Sequence, residues 1–529
     1  MSMTSSDPNR AFVLGLDGVP WPLVEEWVAD GELPNFGRLV EEGASGPLES
    51  TMPPTTALAW PTIATGTWAD KHGVYSFRGV QSDYTNRMNT SNDVSQPELW
   101  DILGPSVVAN VPMTYPADEI DGTLVTGMMT PEIGEGFTHP PELREEIESE
   151  IPDYQIGLSW EEYRENREGF LDELDDLLDA RKQLLHRLMD EDDWRLFFFV
   201  FTAPDRLQHL IWDEDVLLDH YRELDDALGD VLAYVEDHGA NLFVVSDHGF
   251  GPVETYVHTN TFLEREGFLT RKGGSGRGTL EKLGLTKDRI RGAIASMGID
   301  EKALYDHLPD ELVESLASQV PGTHELYDVK FSETVAFTHG AGNLFVNDTE
   351  RFEAGVVAPD EIPAVKAEIR SRLEGLTDPQ TGDPVLNVSD GDEVFETDPE
   401  GPDLVIRADE EAGYLSGNSL TDSVFRESQM AASHRKYGVF FAWGPSIEAA
   451  STPDEATVAD VAPTLLHSVG EAVPENADGR VLSEVFAPDS AAANRRVESR
   501  AYGESGPDDA VEADFDDVES RLQGLGYME

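Results

Sequence analysis

Three short runs, AFVLGL at 11–16, LFFFVF at 196–201 and NLFVV at 241–245, are almost purely apolar, and each is followed within a few residues by a carboxylate or an imidazole. Runs of five or six apolar residues without alternation read as strands buried on both faces, the pattern of parallel sheets covered by helices. Helical patterns over 171–189 and 217–235 precede the second and third runs, so strands alternate with helices as in an α/β sheet. Open sheets of that kind bind ligands at the carboxyl ends of their strands. The polar residues that follow the three runs fall there.

Asp17 follows the first run directly, at a position where an aspartate is often only a turn former or helix cap. Asp247 and His248 open a Gly-bracketed segment, VVSDHGFG, directly after the third run, where a surface turn is the plainer alternative. Asp205 and His209 lie in FTAPDRLQHLIW, where Pro204 suits a first helical turn. Their spacing of four puts both on one helix face, near enough to chelate one ion or to form an ordinary helix pair. His434, in ASHRKYGVFFAWGP, precedes a further strand-like run but is one of 13 histidines. Thr56, in TMPPTTALAW, opens a helical pattern reaching Thr65, and a helix start offers amide groups to a phosphate oxyanion. Spacing alone nevertheless reads Thr55 and Thr56 as N-caps, and Trp60 and Tyr75 as packing residues.

Composition narrows the chemistry. The 529 residues include no cysteine, so thiolate sites and disulfides are excluded and any metal must be held by carboxylate and imidazole. With 104 Asp plus Glu against 37 Lys plus Arg, the formal net charge is −67, which disfavours nucleic acid polymers and anionic membranes as partners. Such an acidic surface on a chain with a normal apolar content suits a salt-rich host, where screening relieves self-repulsion. The start lacks the pattern of a signal peptide and no run approaches a membrane span, so a cytoplasmic protein is expected. The expected organisation is a discontinuous core over 10–258 and 331–486, an inserted helical cap over 259–330, and an acidic, largely mobile C-terminal tail over 487–529.

Taken together and in order, LGLDG at 14–18, PPTTALAW at 53–60, ATGTWADKHGVYSF at 64–77, NVPMTYP at 110–116, TAPDRLQH at 202–209, SDHGF at 246–250 and SHRKYGVFFAWGP at 433–445 resemble the alkaline phosphatase superfamily. The resemblance is to its type I phosphodiesterase/nucleotide pyrophosphatase-like and predicted phosphohydrolase/phosphomutase branch. It implies a central, mainly parallel sheet flanked by helices and a two-metal phosphoric ester hydrolase acting on small phosphate esters. One ion would be held by Asp17, Asp247, His248 and the Thr56 hydroxyl, the other by Asp205, His209 and His434, with zinc the usual metal and manganese an alternative. Thr56 would be the nucleophile and pass through a phosphothreonine. One position departs from the pattern: nucleotide pyrophosphatases carry an asparagine a few residues past a His-Gly pair, and after His72 and Gly73 the matching residue here is Phe77.

Within enzymes, the alternatives are a phosphomonoesterase or phosphomutase, and a sulfatase, the last disfavoured by a threonine in a chain without cysteine. From another class, an inactive metal-binding interaction protein could keep the same fold.

Overall fold

The computed structural model describes residues 9–158, 163, 166–272, 326, 328–503, 515, 518, 519, 521 and 522. Its centre is an eight-stranded sheet built from β1 (Ala11–Leu16), β2 (Ala44–Glu49), β3 (Ser106–Ala109), β4 (Gly122–Val125), β5 (Thr138–His139), β6 (Leu196–Phe201), β7 (Asn241–Val245) and β8 (Tyr437–Trp443). The order is β2-β8-β7-β1-β6-β3-β4-β5. The five strands β7 to β4 in that order are mutually parallel, and antiparallel pairings occur only at β8 and β5. The three apolar runs of the sequence are therefore neighbours, β7-β1-β6, in the middle of the sheet.

Side chains along a strand alternate between its faces, and here both faces are dry. Phe12, Leu14 and Leu16 share one core with Phe197, Phe199 and Phe201, while Val13 shares another with Phe198 and Val200. The first core is closed by α1 (Trp21–Ala29), α2 (Pro34–Glu42), α4 (Arg167–Leu188) and α6 (Glu214–His238). The second is closed by α3 (Thr56–Thr65) and α7 (Val461–Ser468). Each fully buried Leu or Phe contributes about 1.5–3 kcal/mol, which is why the strand centres tolerate no polar residue. α6 starts where Asp213 accepts the Val216 amide, with Glu214 and Asp215 in its first turn and His238 in its last, all favourable to the helix dipole.

Beyond β7 the chain builds a second β layer. Strands 336–339, 343–346, 404–408 and 386–390 form an antiparallel sheet in that order, packed against helix Ile362–Glu374 around Phe337, Leu344, Ile369 and Ile406. Of the segment read as an inserted cap, helix Thr259–Glu266 joins this layer, with Phe262 and Leu263 in its core. The Lys272 amide bonds the Asp328 carbonyl at 2.7 Å, bringing the two ends of the insertion together; residues 273–325 lie outside the described residues.

Within 487–529, Ser499–Arg500 pairs with Val473–Pro474, and Val518 and Leu522 are buried beside Leu58 and Phe77. Arg78, nearly buried itself, meets Glu519 at 2.9 Å. The described part of the segment expected to be mobile is thus anchored by a few apolar side chains spaced along an acidic stretch.

Candidate metal centre and nucleophile

The sequence-predicted residues converge on the carboxyl edge of β7-β1-β6. Asp17 is the residue after β1, and Asp247 and His248 follow β7. Asp205 and His209 stand one turn apart on α5 (Ala203–Leu210), which begins just after β6 and carries Pro204 in its first turn. The chain after His248 runs on as strand Gly249–Pro252 rather than as a loop, and it pairs antiparallel with Ala432–Arg435 so that Phe250 stands opposite His434. That pairing delivers the last histidine. Thr56 is the first residue of α3, with Thr55 at the N-cap position but making no capping bond through its side chain.

Distances define two abutting groups. Asp205 Oδ1, His209 Nε2 and His434 Nε2 form a triangle with edges of 3.4, 3.2 and 3.4 Å. In the second group, His248 Nε2 lies 3.2 Å from Asp247 Oδ2, 3.7 Å from Asp17 Oδ1 and 3.2 Å from Thr56 Oγ1. The groups touch: ligand atoms of Asp205, His248 and His434 lie within 4.8 Å of one another, and so do those of Asp17, Asp247 and His248.

The proton positions of the three rings follow from their outer contacts. Nδ1 of His209 faces the Ala432 carbonyl at 3.3 Å, Nδ1 of His434 the Pro54 carbonyl at 3.1 Å, and Nδ1 of His248 the Gly249 carbonyl at 3.1 Å. A carbonyl oxygen can only accept, so each Nδ1 carries the proton and each Nε2 turns a lone pair inward. Burial, then the neighbouring histidines, holds His248 well below the ordinary imidazole range, and burial likewise lowers His434. Burial, reinforced by the Asp247 carboxylate, pushes Asp17 well up, and burial raises Asp247 to about 8.

These observations test whether the residues fit a metal, and they do. Inward lone pairs only 3.2 Å apart repel, and Asp17 Oδ1 and Asp247 Oδ2 are buried without a hydrogen-bond partner. A divalent cation removes both penalties. A tetrahedral ion with bonds of about 2.0–2.1 Å holds its ligand atoms about 3.3–3.4 Å apart, the spacing of the Asp205–His209–His434 triangle.

Several supporting residues escaped the sequence reading. Trp60, read there as packing, donates its indole N–H to Asp17 Oδ2 at 3.4 Å. Ser246 Oγ accepts the Val19 amide at 2.9 Å and donates to the His248 carbonyl, while Ser50 donates to the Asp247 carbonyl at 2.6 Å. Gln208 bonds the Gly18 carbonyl at 2.8 Å. Gly18 has φ +70°, and a Cβ there would stand 3.2 Å from the Asp205 backbone, so the turn after Asp17 requires glycine. The only local signal for these residues is that Ser246, Gly18 and Gln208 lie next to ligand candidates in the sequence.

Carboxylates and imidazoles gathered at the ends of parallel strands make a candidate metal-ligand cluster on an α/β fold, at the edge where such sheets bind ligands. A family model for type I phosphodiesterase / nucleotide pyrophosphatase matches residues 11–435, and the chain belongs to that family. It is accordingly a phosphoric ester hydrolase. No curated protein matches the chain. Among solved structures, human ectonucleotide pyrophosphatase/phosphodiesterase 5 is similar at 12% identity and a TM-score of 0.49, over 88% of this chain and 96% of its own. The murine counterpart is similar at 14% identity and a TM-score of 0.46 over the same shares, and its inactive variant in complex with AMP at 13% and 0.46. No helix among the described residues is long and apolar enough to cross a membrane.

Proposed function

We propose that the protein is a metal-dependent phosphodiesterase that works through a phosphothreonine on Thr56. The observation that carries this reading is the convergence of three inward Nε2 lone pairs and three buried carboxylates beside the Thr56 hydroxyl. Asp17, Asp247, His248 and Thr56 would hold one divalent ion and Asp205, His209 and His434 the other, with zinc suited to the three imidazoles and manganese, suited to the carboxylates, the alternative. Bound there, two ions supply charge neutralisation for the phosphoryl group and lower the pKa of the threonine hydroxyl.

The chain's own groups do the rest. The start of α3 turns its first-turn amides and the positive end of its dipole toward the space beside Thr56, favouring a phosphoryl oxygen. Oγ1 of Thr56 attacks phosphorus, its proton passing to water, and the bond to one ester oxygen breaks as that alcohol leaves with a proton from solvent. Water then cleaves the new P–O bond, restoring the hydroxyl and releasing a phosphomonoester. The pocket beside Thr56 is lined by Phe77, which offers no side-chain hydrogen-bond donor. Absence of one donor costs about 3–4 kcal/mol of transition-state stabilisation, so nucleotides gain no preference over simple aryl diesters, and preference for diesters over monoesters is modest.

The test is to quench turnover of bis-nitrophenyl phosphate in acid and map the protein by mass spectrometry. A nitrophenyl-phosphoryl group on Thr56 is expected. An adduct on another residue, or a strong preference for ATP or dinucleotides in a parallel assay, would overturn the reading.

A further inference from the structure

Phe515, Val518 and Leu522 recur at spacings of three and four in an acidic stretch, the pattern of one apolar helix face. The Glu519 amide donates to the Phe515 carbonyl at 2.8 Å, closing a helical turn. Val518 and Leu522, each 1% exposed, share a buried cluster with Ala57 and Leu58, the residues that follow Thr56 on α3, and with Phe77 of the pocket wall. Glu519 meets the buried Arg78, next in the chain after Phe77, at 2.9 Å. The Phe515 and Tyr115 rings meet edge-on with centroids 6.2 Å apart, and Arg521 Nη2 donates to the Thr130 carbonyl at 2.6 Å. Tyr115 lies on the chain leaving β3 and Thr130 on the chain leaving β4. One short segment thus joins the helix of Thr56 to two turns at the carboxyl edge of the sheet.

The shell that this segment covers does not hold its own shape. Met88, Met113, Met128 and Met129 belong to the same cluster, and methionine side chains fill space without fixing it. Met113 and Met129 also have φ of 69° and 92°, a backbone conformation that a non-glycine residue keeps only where its surroundings impose it. The contacts of the segment fall at those two turns: Tyr115 is two residues past Met113, and Thr130 follows Met129. Between them Val518 and Leu522 close the cluster with branched side chains of few rotamers. Leaving the buried guanidinium of Arg78 without a carboxylate is costly, so the Glu519 pair ties the segment down where a chain end is otherwise loose.

We infer that Phe515, Val518, Glu519, Arg521 and Leu522 form a strap that positions the start of α3, and with it Thr56, for attack on phosphorus. They are positioning residues, acting through Leu58, Phe77 and the two turns. The inference goes beyond the metal and nucleophile assignments and rests on the phosphodiesterase reading for the reaction it affects.

The test uses zinc-reconstituted full-length protein. In the double variant Val518→Ser/Leu522→Ser, kcat on bis-nitrophenyl phosphate per zinc-loaded chain should fall by about tenfold or more, the scale of a misplaced reacting group. KM should stay within about twofold of the unaltered value, because the loss lies in the transition state. Glu519→Lys, which sets like charges together at Arg78, should act in the same direction. Leu522→Met, which keeps the apolar volume, should keep kcat within about twofold. Hydrogen exchange at the amides of 113–116 and 127–130 should quicken by about tenfold in the double variant and not in Leu522→Met. Unaltered kcat and exchange in the double variant overturn the strap, as does a loss of activity that only tracks lost zinc. A Leu522→Met variant as impaired as the serine pair also overturns it. If the unaltered protein does not turn over bis-nitrophenyl phosphate, the phosphodiesterase reading falls, and the exchange rates alone decide whether the strap holds the two turns.

Discussion

Oγ1 of Thr56 lies 3.2 Å from Nε2 of His248, the one ring atom that also faces Asp17 and Asp247. A hydroxyl at the first position of a helix is thereby held against the same lone pair that would bind a cation. Thr56→Ala removes the nucleophile but leaves six carboxylate and imidazole groups in place. Turnover of an aryl diester should fall by at least about 1,000-fold, while metal content measured by elemental analysis stays near that of the unaltered protein. Near-normal activity in the variant would assign the nucleophile elsewhere.

Gly15 sits on β1 under the indole that bonds Asp17. A Cβ at this position would lie 2.4 Å from Trp60 Cη2 and 2.7 Å from Val200 Cγ2. Gly15→Ala should therefore push Trp60 off Asp17, costing about 1–3 kcal/mol in urea denaturation and lowering kcat as well. A variant with unaltered stability and activity would show that Trp60 can move without disturbing the site.

His220 on α6 is buried, its Nε2 has no hydrogen-bond partner, and burial, aided by the charge of Lys182, lowers its pKa from 6.5 to about 4. Between those values the unfolded chain binds a proton that the folded chain refuses, so this contribution to stability is complete above the higher value and is lost as pH falls. At pH 5 the loss is about 2 kcal/mol. His220→Gln should flatten the decline in urea midpoint between about pH 7 and pH 5, measured in molar salt to hold surface repulsion steady. An unchanged slope would place the acid sensitivity in other groups.

Much of the site was legible because buried parallel strands announce themselves as unbroken apolar runs, and the residues after β1, β6 and β7 had to share one edge of the sheet. The α5 pair was legible from its spacing. His434 was legible only through the family resemblance, because it reaches the cluster through pairing with Phe250, a contact between segments 184 residues apart (434 − 250) that no local pattern encodes. Helix Thr259–Glu266 packs Phe262 and Leu263 into the core of the second layer, a tertiary contact that composition does not show.

A formal charge of −67 makes the folded surface self-repelling at low ionic strength. The Debye length falls from roughly 30 Å at 0.01 M to roughly 3 Å at 1 M salt, so melting temperature and activity should both rise across that range. A melting temperature that declines steadily with salt would contradict a salt-adapted surface.

The metal content of the cluster tests the two-ion site most directly. Protein stripped with a chelator and dialysed against zinc or manganese should bind two ions per chain by elemental analysis, with aryl diester hydrolysis absent before reconstitution and restored after it. Full activity in the stripped protein, or reconstituted protein that binds no divalent ion, would contradict the central claim that Asp17, Asp205, His209, Asp247, His248 and His434 form a two-ion site around Thr56.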